Sequence, residues 1–285
     1  MSVIFTDTNC ELSYKHIDEY GIKLIQMPYT LEGNEYFYDD GRDPSFTKIY
    51  QKMRDGATPI TSALSPQNYI DYFEPVLKEG HDILYIAFSD QLSGTFNYMQ
   101  MAVDELKQKY PDRKITRFNT LNISFGGGIQ VLEAVRLQRQ GLSDEEIVAE
   151  LEKFREKVGI YFYVDSLTYL RRGGRISSTS AVFGNMLNIK PILKCEDGKI
   201  VKTQTVRGQK KALSFLVETF LNEAQINDEY TYFIIDADAK NEAKALYDEI
   251  MQKTDNKVKI ESYNIGPVVT THCGPGTVGL IYIKR

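Results

Sequence analysis

The sequence predicts an α/β fold of two domains, residues 1–158 around a mostly parallel sheet and residues 159–285 around a mixed or antiparallel one. Three observations lead there. Residues 83–88 (ILYIAF) are a continuous apolar run of strand length, the pattern of a strand covered on both faces in a parallel sheet. Strand-like and helix-like segments alternate through the first half, as successive βαβ units require. In the second half Asp197-Gly198 stands between two strand-like runs, a strong hairpin signal that implies antiparallel pairing.

Taken in order, residues 2–6 are β-rich and run into Thr6-Asp7-Thr8-Asn9, polar residues that open a helix over 11–19. Residues 22–31 read as the next strand. Glu32-Gly33-Asn34 turns the chain, and 35–38 return antiparallel. Asp43-Pro44 supplies an N-cap and a proline at the first helical position, for a helix to residue 54. Ser65-Pro66 repeats that logic for a helix to residue 78, and Thr61 and Ser62 precede it in a segment held extended by neighbouring prolines. After the strand at 83–88, Ser93-Gly94-Thr95 opens a helix to residue 109. Residues 114–118 form a strand, and Gly126-Gly127-Gly128 lead into a helix over 129–140. Three consecutive glycines let the backbone approach a packed neighbour or a ligand closely. They fit neither a Walker loop nor the dinucleotide fingerprint. Ser143-Asp144-Glu145-Glu146 is a capping box, and Ile147, Leu151, Phe154 and Val158 keep helical spacing behind it.

The second domain is expected to hold a strand at 159–164, a short helix at 166–172, a helix near 179–187 and the hairpin 190–195/199–206. A helix over 207–223, a strand at 230–235, a helix over 240–252 and strands at 258–263 and 277–283 follow. Residues 266–276 combine glycine and proline around His272 and read as a loop. Nothing near residue 159 resembles a flexible linker.

Composition narrows the function. The 285 residues are 42% hydrophobic and 26% charged, enough to bury a core. A net charge of −5, with no long Lys/Arg run, argues against a nucleic-acid partner. No apolar run reaches the length of a membrane span, and residues 1–7 turn polar too soon for a signal peptide. Cys10, Cys195 and Cys273 are scattered and odd in number, neither a disulfide framework nor a zinc pattern, and a reducing cytoplasm is the simplest compartment. His16, His81 and His272 lie far apart, so neither a metal nor a cofactor is expected.

The chemistry concentrates at Ser93-Gly94-Thr95. A helix start carries unpaired N–H groups and the positive end of the helix dipole, so it can take a carboxylate or phosphate without a lysine. In an open α/β sheet it also lies where ligands bind, beyond the carboxyl ends of the strands. Plain N-capping by the hydroxyls is the competing reading.

Five separated stretches then resemble one family. They are Phe5-Thr6-Asp7-Thr8, Thr61-Ser62-Ala63-Leu64-Ser65-Pro66, Leu92-Ser93-Gly94-Thr95, Leu170-Arg171-Arg172-Gly173-Gly174-Arg175-Ile176-Ser177 and His272-Cys273-Gly274-Pro275-Gly276. Their order and spacing resemble the DegV family of bacterial fatty-acid-binding proteins over essentially the whole chain. The resemblance implies a non-enzymatic lipid-binding protein that encloses a long-chain fatty acid between its two domains. It also implies a subunit that presents the carboxylate to a fatty acid kinase, which transfers phosphate from ATP to give an acyl phosphate. By motif, Thr61 and Ser93 would hydrogen-bond the carboxylate, with Ser62, Gly94 and Thr95 beside them and His272 near the same head group. Arg171 and Arg207 would touch the head group or the partner. Thr8-Asn9-Cys10 departs from the family pattern after Asp7. Two rival readings use the same helix start: a serine hydrolase with Ser93 as nucleophile and His272 as base, and a module for small phosphate compounds that adds Arg171, Arg172 and Arg175. The hydrolase lacks the first glycine of a nucleophile elbow at Gln91-Leu92-Ser93-Gly94-Thr95.

Overall fold

The computed structural model describes residues 1–176 and 188–285, so the helix expected near 179–187 lies outside the described residues. The chain divides into two compact units, one of Met1–Asp43 and Thr61–Glu156, the other of Pro44–Ile60 and Lys157–Arg285.

The first unit opens with β1 (Val3–Asp7), a 3-10 turn over Thr8–Cys10, α1 (Tyr14–Tyr20), β2 (Lys23–Ile25), β3 (Pro28–Leu31) and β4 (Asn34–Phe37). The chain then contributes a 3-10 turn over Pro44–Thr47 and helix α2 (Lys48–Arg54) to the second unit. After β5 (Ile60–Thr61) come α3 (Pro66–Lys78), β6 (Ile83–Ala87), α4 (Thr95–Lys109), β7 (Ile115–Asn119), α5 (Phe125–Arg139) and α6 (Asp144–Lys157). Strands β2-β1-β6-β7 form an all-parallel sheet, with β6 buried at every position, as its apolar run requires. Phe5, Tyr69, Phe73 and Tyr85 pack beside it; the Phe5 and Phe73 rings meet edge to face at 5.2 Å.

Residues 22–31 are not one strand. β2 pairs with β1, whereas β3 pairs antiparallel with β4 in a separate sheet of order β4-β3-β5. The break falls where distant side chains take the backbone donors. Gln26 N–H donates to the Tyr72 hydroxyl at 3.2 Å and Met27 N–H to Thr8 Oγ1 at 3.0 Å, and Pro28 has no N–H.

The triple glycine lies inside α5, which begins at Phe125. A Cβ on Gly126 would stand 2.1 Å from Asn122 Oδ1, on Gly127 2.9 Å from Cys10 Sγ, and on Gly128 2.6 Å from the Cys10 carbonyl oxygen. Close packing of α5 on the Thr8–Cys10 turn therefore accounts for the run.

The second unit adds β8 (Val158–Tyr163), α7 (Thr168–Arg172), β9 (Ile189–Glu196), β10 (Lys199–Arg207), α8 (Gln209–Glu223), β11 (Thr231–Ala237), α9 (Lys240–Lys253), β12 (Lys259–Asn264), α10 (Pro267–Cys273) and β13 (Thr277–Ile283). Its sheet is mixed, in the order β10-β9-β8-β13-β11-β12. β9 and β10 are the hairpin that Asp197-Gly198 signals, and only β11 and β12 run parallel among its strand pairs. Pro44–Ile60 belongs here because Ile49, Tyr50 and Met53 are buried, the Tyr50 hydroxyl donates to the Ile265 carbonyl, and Arg54 pairs with Asp238. A linear cut at 158/159 leaves this detour out. Residues 266–276 are not a plain loop either. Pro267 opens α10 at its first turn, and Gly274 follows its end at φ +81°, a left-handed conformation that suits glycine.

Gly128→Ala tests the packing account. Helix propensity alone favours alanine by about 1 kcal/mol. Overpacking against the Cys10 carbonyl costs about 1–3 kcal/mol or more. Urea unfolding should show a net loss of stability.

Candidate functional site

In the first unit Ser93, Gly94 and Thr95 follow the carboxyl end of a parallel strand, whereas Thr61 and Ser62 lie at the end of β5 in the separate sheet. β6 ends at Ala87, and residues 88–94 carry the chain to α4. Asp7 closes the end of β1. Its Oδ2 accepts the Tyr85 hydroxyl at 2.8 Å and Phe88 N–H at 3.2 Å, and its Oδ1 accepts Asn9 N–H at 2.9 Å. Burial pushes its carboxyl pKa up, against the opposite pull of these bonds. On the other side of β6, Thr120 N–H donates to the Ala87 carbonyl at 3.0 Å and Ser89 N–H to that of Asn122 at 3.3 Å. Ser89 then turns the chain, accepting Gln91 N–H on Oγ and Leu92 N–H on its carbonyl.

Ser93, Gly94 and Thr95 come together as expected. Ser93 Oγ donates to Thr95 Oγ1 at 2.8 Å and accepts Thr95 N–H at 3.3 Å, closing a short turn onto the first residue of α4, whose N-cap is Gly94. Thr95 is buried and Ser93 half-buried. Gly94 is exposed at φ −70°, and a Cβ there would meet nothing within 4 Å. Neither backbone conformation nor internal packing calls for glycine at this position. Its absent side chain leaves room beside the helix start for an approaching group. Thr61 ends β5 half-buried, and Ser62 is exposed.

In the second unit His272 lies in the last turn of α10 and packs on the end of α7. A Cβ on Gly173 would fall 2.2 Å from His272 Nδ1, and one on Gly274 2.2 Å from the Tyr169 ring. These contacts pack Tyr169 and Gly173 against the His272–Gly276 stretch in one cluster. One on Gly276 would fall 2.1 Å from Asp165, which pairs with Lys190. Burial, with Arg175 and Arg172 adding like charge, pulls the His272 pKa down to about 4. The imidazole is therefore neutral at neutral pH. Arg171 and Arg207 are exposed, one in α7 and the other at the end of β10. Among the described residues no group of three or more His, Cys, Asp or Glu could hold a metal ion, and no helix is long and apolar enough to cross a membrane.

The family model that matches is DegV, described as "Uncharacterised protein, DegV family", and it spans residues 1–285. The chain belongs to the DegV family. A DegV domain-containing protein of Clostridium perfringens is 34% identical over 282 residues, covering 99% of this chain and 97% of that one. Among solved structures, a DegV family protein from Thermus thermophilus, described by its fatty acid binding, superposes with a TM-score of 0.87 at 29% identity over 99% of each chain. A stearic-acid-binding protein from Eubacterium ventriosum does so with a TM-score of 0.85 at 25% identity, over 100% of this chain and 98% of that one. The parallel sheet and the mixed sheet of this chain are thus those of a DegV fold.

Sequence reasoning passed over Glu11, Asp40 and Ser124 in this DegV chain. All three are buried and hold positive φ, near +55°, +54° and +50°. Ser124 Oγ donates to Glu11 Oε2. Neither carboxylate oxygen of Asp40 has a hydrogen-bond partner among the described residues. Burial first, then the charges of Glu11, Asp7 and Asp39, pushes the Asp40 pKa well above the aspartate range. The only sequence signal was a polar residue in a turn, which says nothing about burial.

Asp40 gives a pH-dependent outcome. Its folded-state pKa lies above its unfolded one, so its contribution is fully present below the unfolded pKa and is lost as pH rises toward neutrality. Asp40→Asn removes that loss and should stabilise the protein by about 1–3 kcal/mol at pH 7, with a smaller gain near pH 4. Urea unfolding at the two pH values checks both sign and slope.

Proposed function

We propose that this protein binds a long-chain fatty acid and presents its carboxylate to a kinase for ATP-dependent acyl phosphate formation. The observation that carries the reading is the start of α4. There the Ser93 and Thr95 hydroxyls stand beside a glycine that the fold itself does not need. We assign the carboxylate to the Ser93 and Thr95 hydroxyls, to the Gly94 N–H and to Thr61, with Ser62 next to it in sequence. Support also comes from the fatty acids that the similar structures bind. For the second unit we assign ligand contact to His272, whose neutral imidazole can donate one N–H.

Magnitudes divide the work between tail and head. An acyl tail of about fourteen methylenes at ~0.8 kcal/mol each contributes on the order of 11 kcal/mol before ordering costs. Each hydrogen bond to the carboxylate adds about 1.5–3 kcal/mol. The tail thus governs retention, and the hydroxyls govern where the carboxylate points. Against the hydrolase alternative stands the missing first glycine of a nucleophile elbow at Gln91-Leu92-Ser93-Gly94-Thr95.

Denaturing extraction of the purified chain, followed by mass spectrometry, is expected to release a fatty acid in near-stoichiometric amount. Protein that neither releases nor takes up a fatty acid defeats the reading. Ser93→Ala and Gly94→Ala should retain a bound lipid yet weaken acid binding by roughly tenfold each. Turnover of a chromogenic ester that Ser93→Ala abolishes would favour the hydrolase instead.

Arg171 and Arg207, being exposed, are assigned to the partner rather than to the head group. Arg171→Glu and Arg207→Glu should leave fatty acid binding within about twofold, while acyl phosphate formation with the cognate kinase falls at least about tenfold. A fall in lipid affinity with unchanged kinase turnover would place them at the ligand.

A further inference from the structure

We infer that Asp7 is the positioning residue for the carboxylate-binding loop, acting on Ser93 through Phe88; this inference rests on the fatty-acid reading of the α4 start. The register explains why an aspartate at this place can do it. Thr6 is the last residue of β1 paired with β6, opposite Ile86. Asp7 is one residue further on, and its carboxylate spans the remaining distance to Phe88, the first residue beyond β6. It thus captures the first N–H that the strand ladder leaves unused on that side. The opposite side is held by the 120–122 segment, through Thr120 N–H to Ala87 and Ser89 N–H to Asn122. The loop to Ser93 therefore leaves the sheet from a strand end fixed on both flanks.

The carboxylate is itself fixed from three directions. Asn9 N–H holds Oδ1 from the turn after β1, while the Tyr85 hydroxyl and Phe88 N–H hold Oδ2. The Tyr85 ring is locked in the core against Phe73 and Tyr69, with centroids 5.8 and 6.2 Å away. Asp7 is 1% exposed, too enclosed to bind a ligand directly, and none of these three donors is a cation. The arrangement refers the position of Ser93 back to the aromatic core. Asparagine at this place keeps the shape but replaces one acceptor oxygen by a donor, which faces Phe88 N–H or the Asn9 N–H.

The test uses the full, delipidated chain with palmitate and hexadecanol, two probes of equal chain length that differ in the head group. Asp7→Asn is expected to weaken palmitate binding about tenfold and hexadecanol binding less than about threefold, so that the acid-over-alcohol preference falls as it does in Ser93→Ala. Amide hydrogen exchange of the ligand-free variant should rise in peptides covering 88–95 and stay unchanged in 83–87. Tyr85→Phe, which removes one of the three donors, should shift the preference in the same direction by a smaller factor. It decides the matter alone if Asp7→Asn fails to fold, a fallen preference supporting the inference and an unchanged one overturning it. An Asp7→Asn protein with wild-type preference and wild-type exchange overturns the inference while leaving the fatty-acid reading intact. A wild-type chain that takes up neither probe overturns the fatty-acid reading first and the inference with it.

Discussion

The parallel sheet of the first unit depends on how strand β6 ends. A buried strand must hand over its backbone groups without water, and β6 is buried along its whole length. The ladder with β1 stops at Ile86, and beyond it a carboxylate rather than a backbone carbonyl receives the next N–H. A carboxylate is a stronger acceptor than an amide and can serve several donors at once. One buried Asp7 therefore ties together the end of β1, the turn after it, the loop after β6 and a core tyrosine. The cost is a charge taken out of water, which its donors oppose only in part, since burial still holds the carboxyl above the usual aspartate range.

Much of this was legible in the sequence. The ILYIAF run gives the central strand, Asp197-Gly198 gives the hairpin, and Ser93-Gly94-Thr95 marks the helix start. These signals are local, carried by residues adjacent in the chain. What was not legible depends on partners far away in sequence. The strand break at Gln26-Met27 is made by Thr8 and Tyr72, and the helical triple glycine by the close approach of Cys10. Propensity argues against glycine in a helix, and packing overrides it. Residues 266–276 look irregular because proline and glycine dominate them, yet those residues only bracket a helix of seven.

For the proposed site, sequence offers residue types and not their support. Hydroxyls at a helix start announce an anion, whereas the residues that hold the loop in place are ordinary polar residues until the fold buries them. Gly94 shows the same division. Sequence presents it as a capping-region glycine, and only the open space beside it shows that the fold has no internal use for it. In the second unit, Gly173 seats His272, and Gly274 combines a positive φ with the close approach of Tyr169.

The excursion of Pro44–Ile60 into the second unit bears on how the molecule is made. The chain passes between units at three places, so no single cut releases either one whole. On the ribosome this segment emerges about a hundred residues before the rest of its unit begins at Lys157. At roughly 5–20 residues per second it waits for about 5–20 seconds with Ile49, Tyr50 and Met53 uncovered. The second unit cannot complete its core until Asp238, just after β11, and Ile265, just after β12, have been synthesised, since they hold the early segment in place. A recombinant fragment starting at residue 157 would lack α2, and circular permutation within 44–60 would sever the same link.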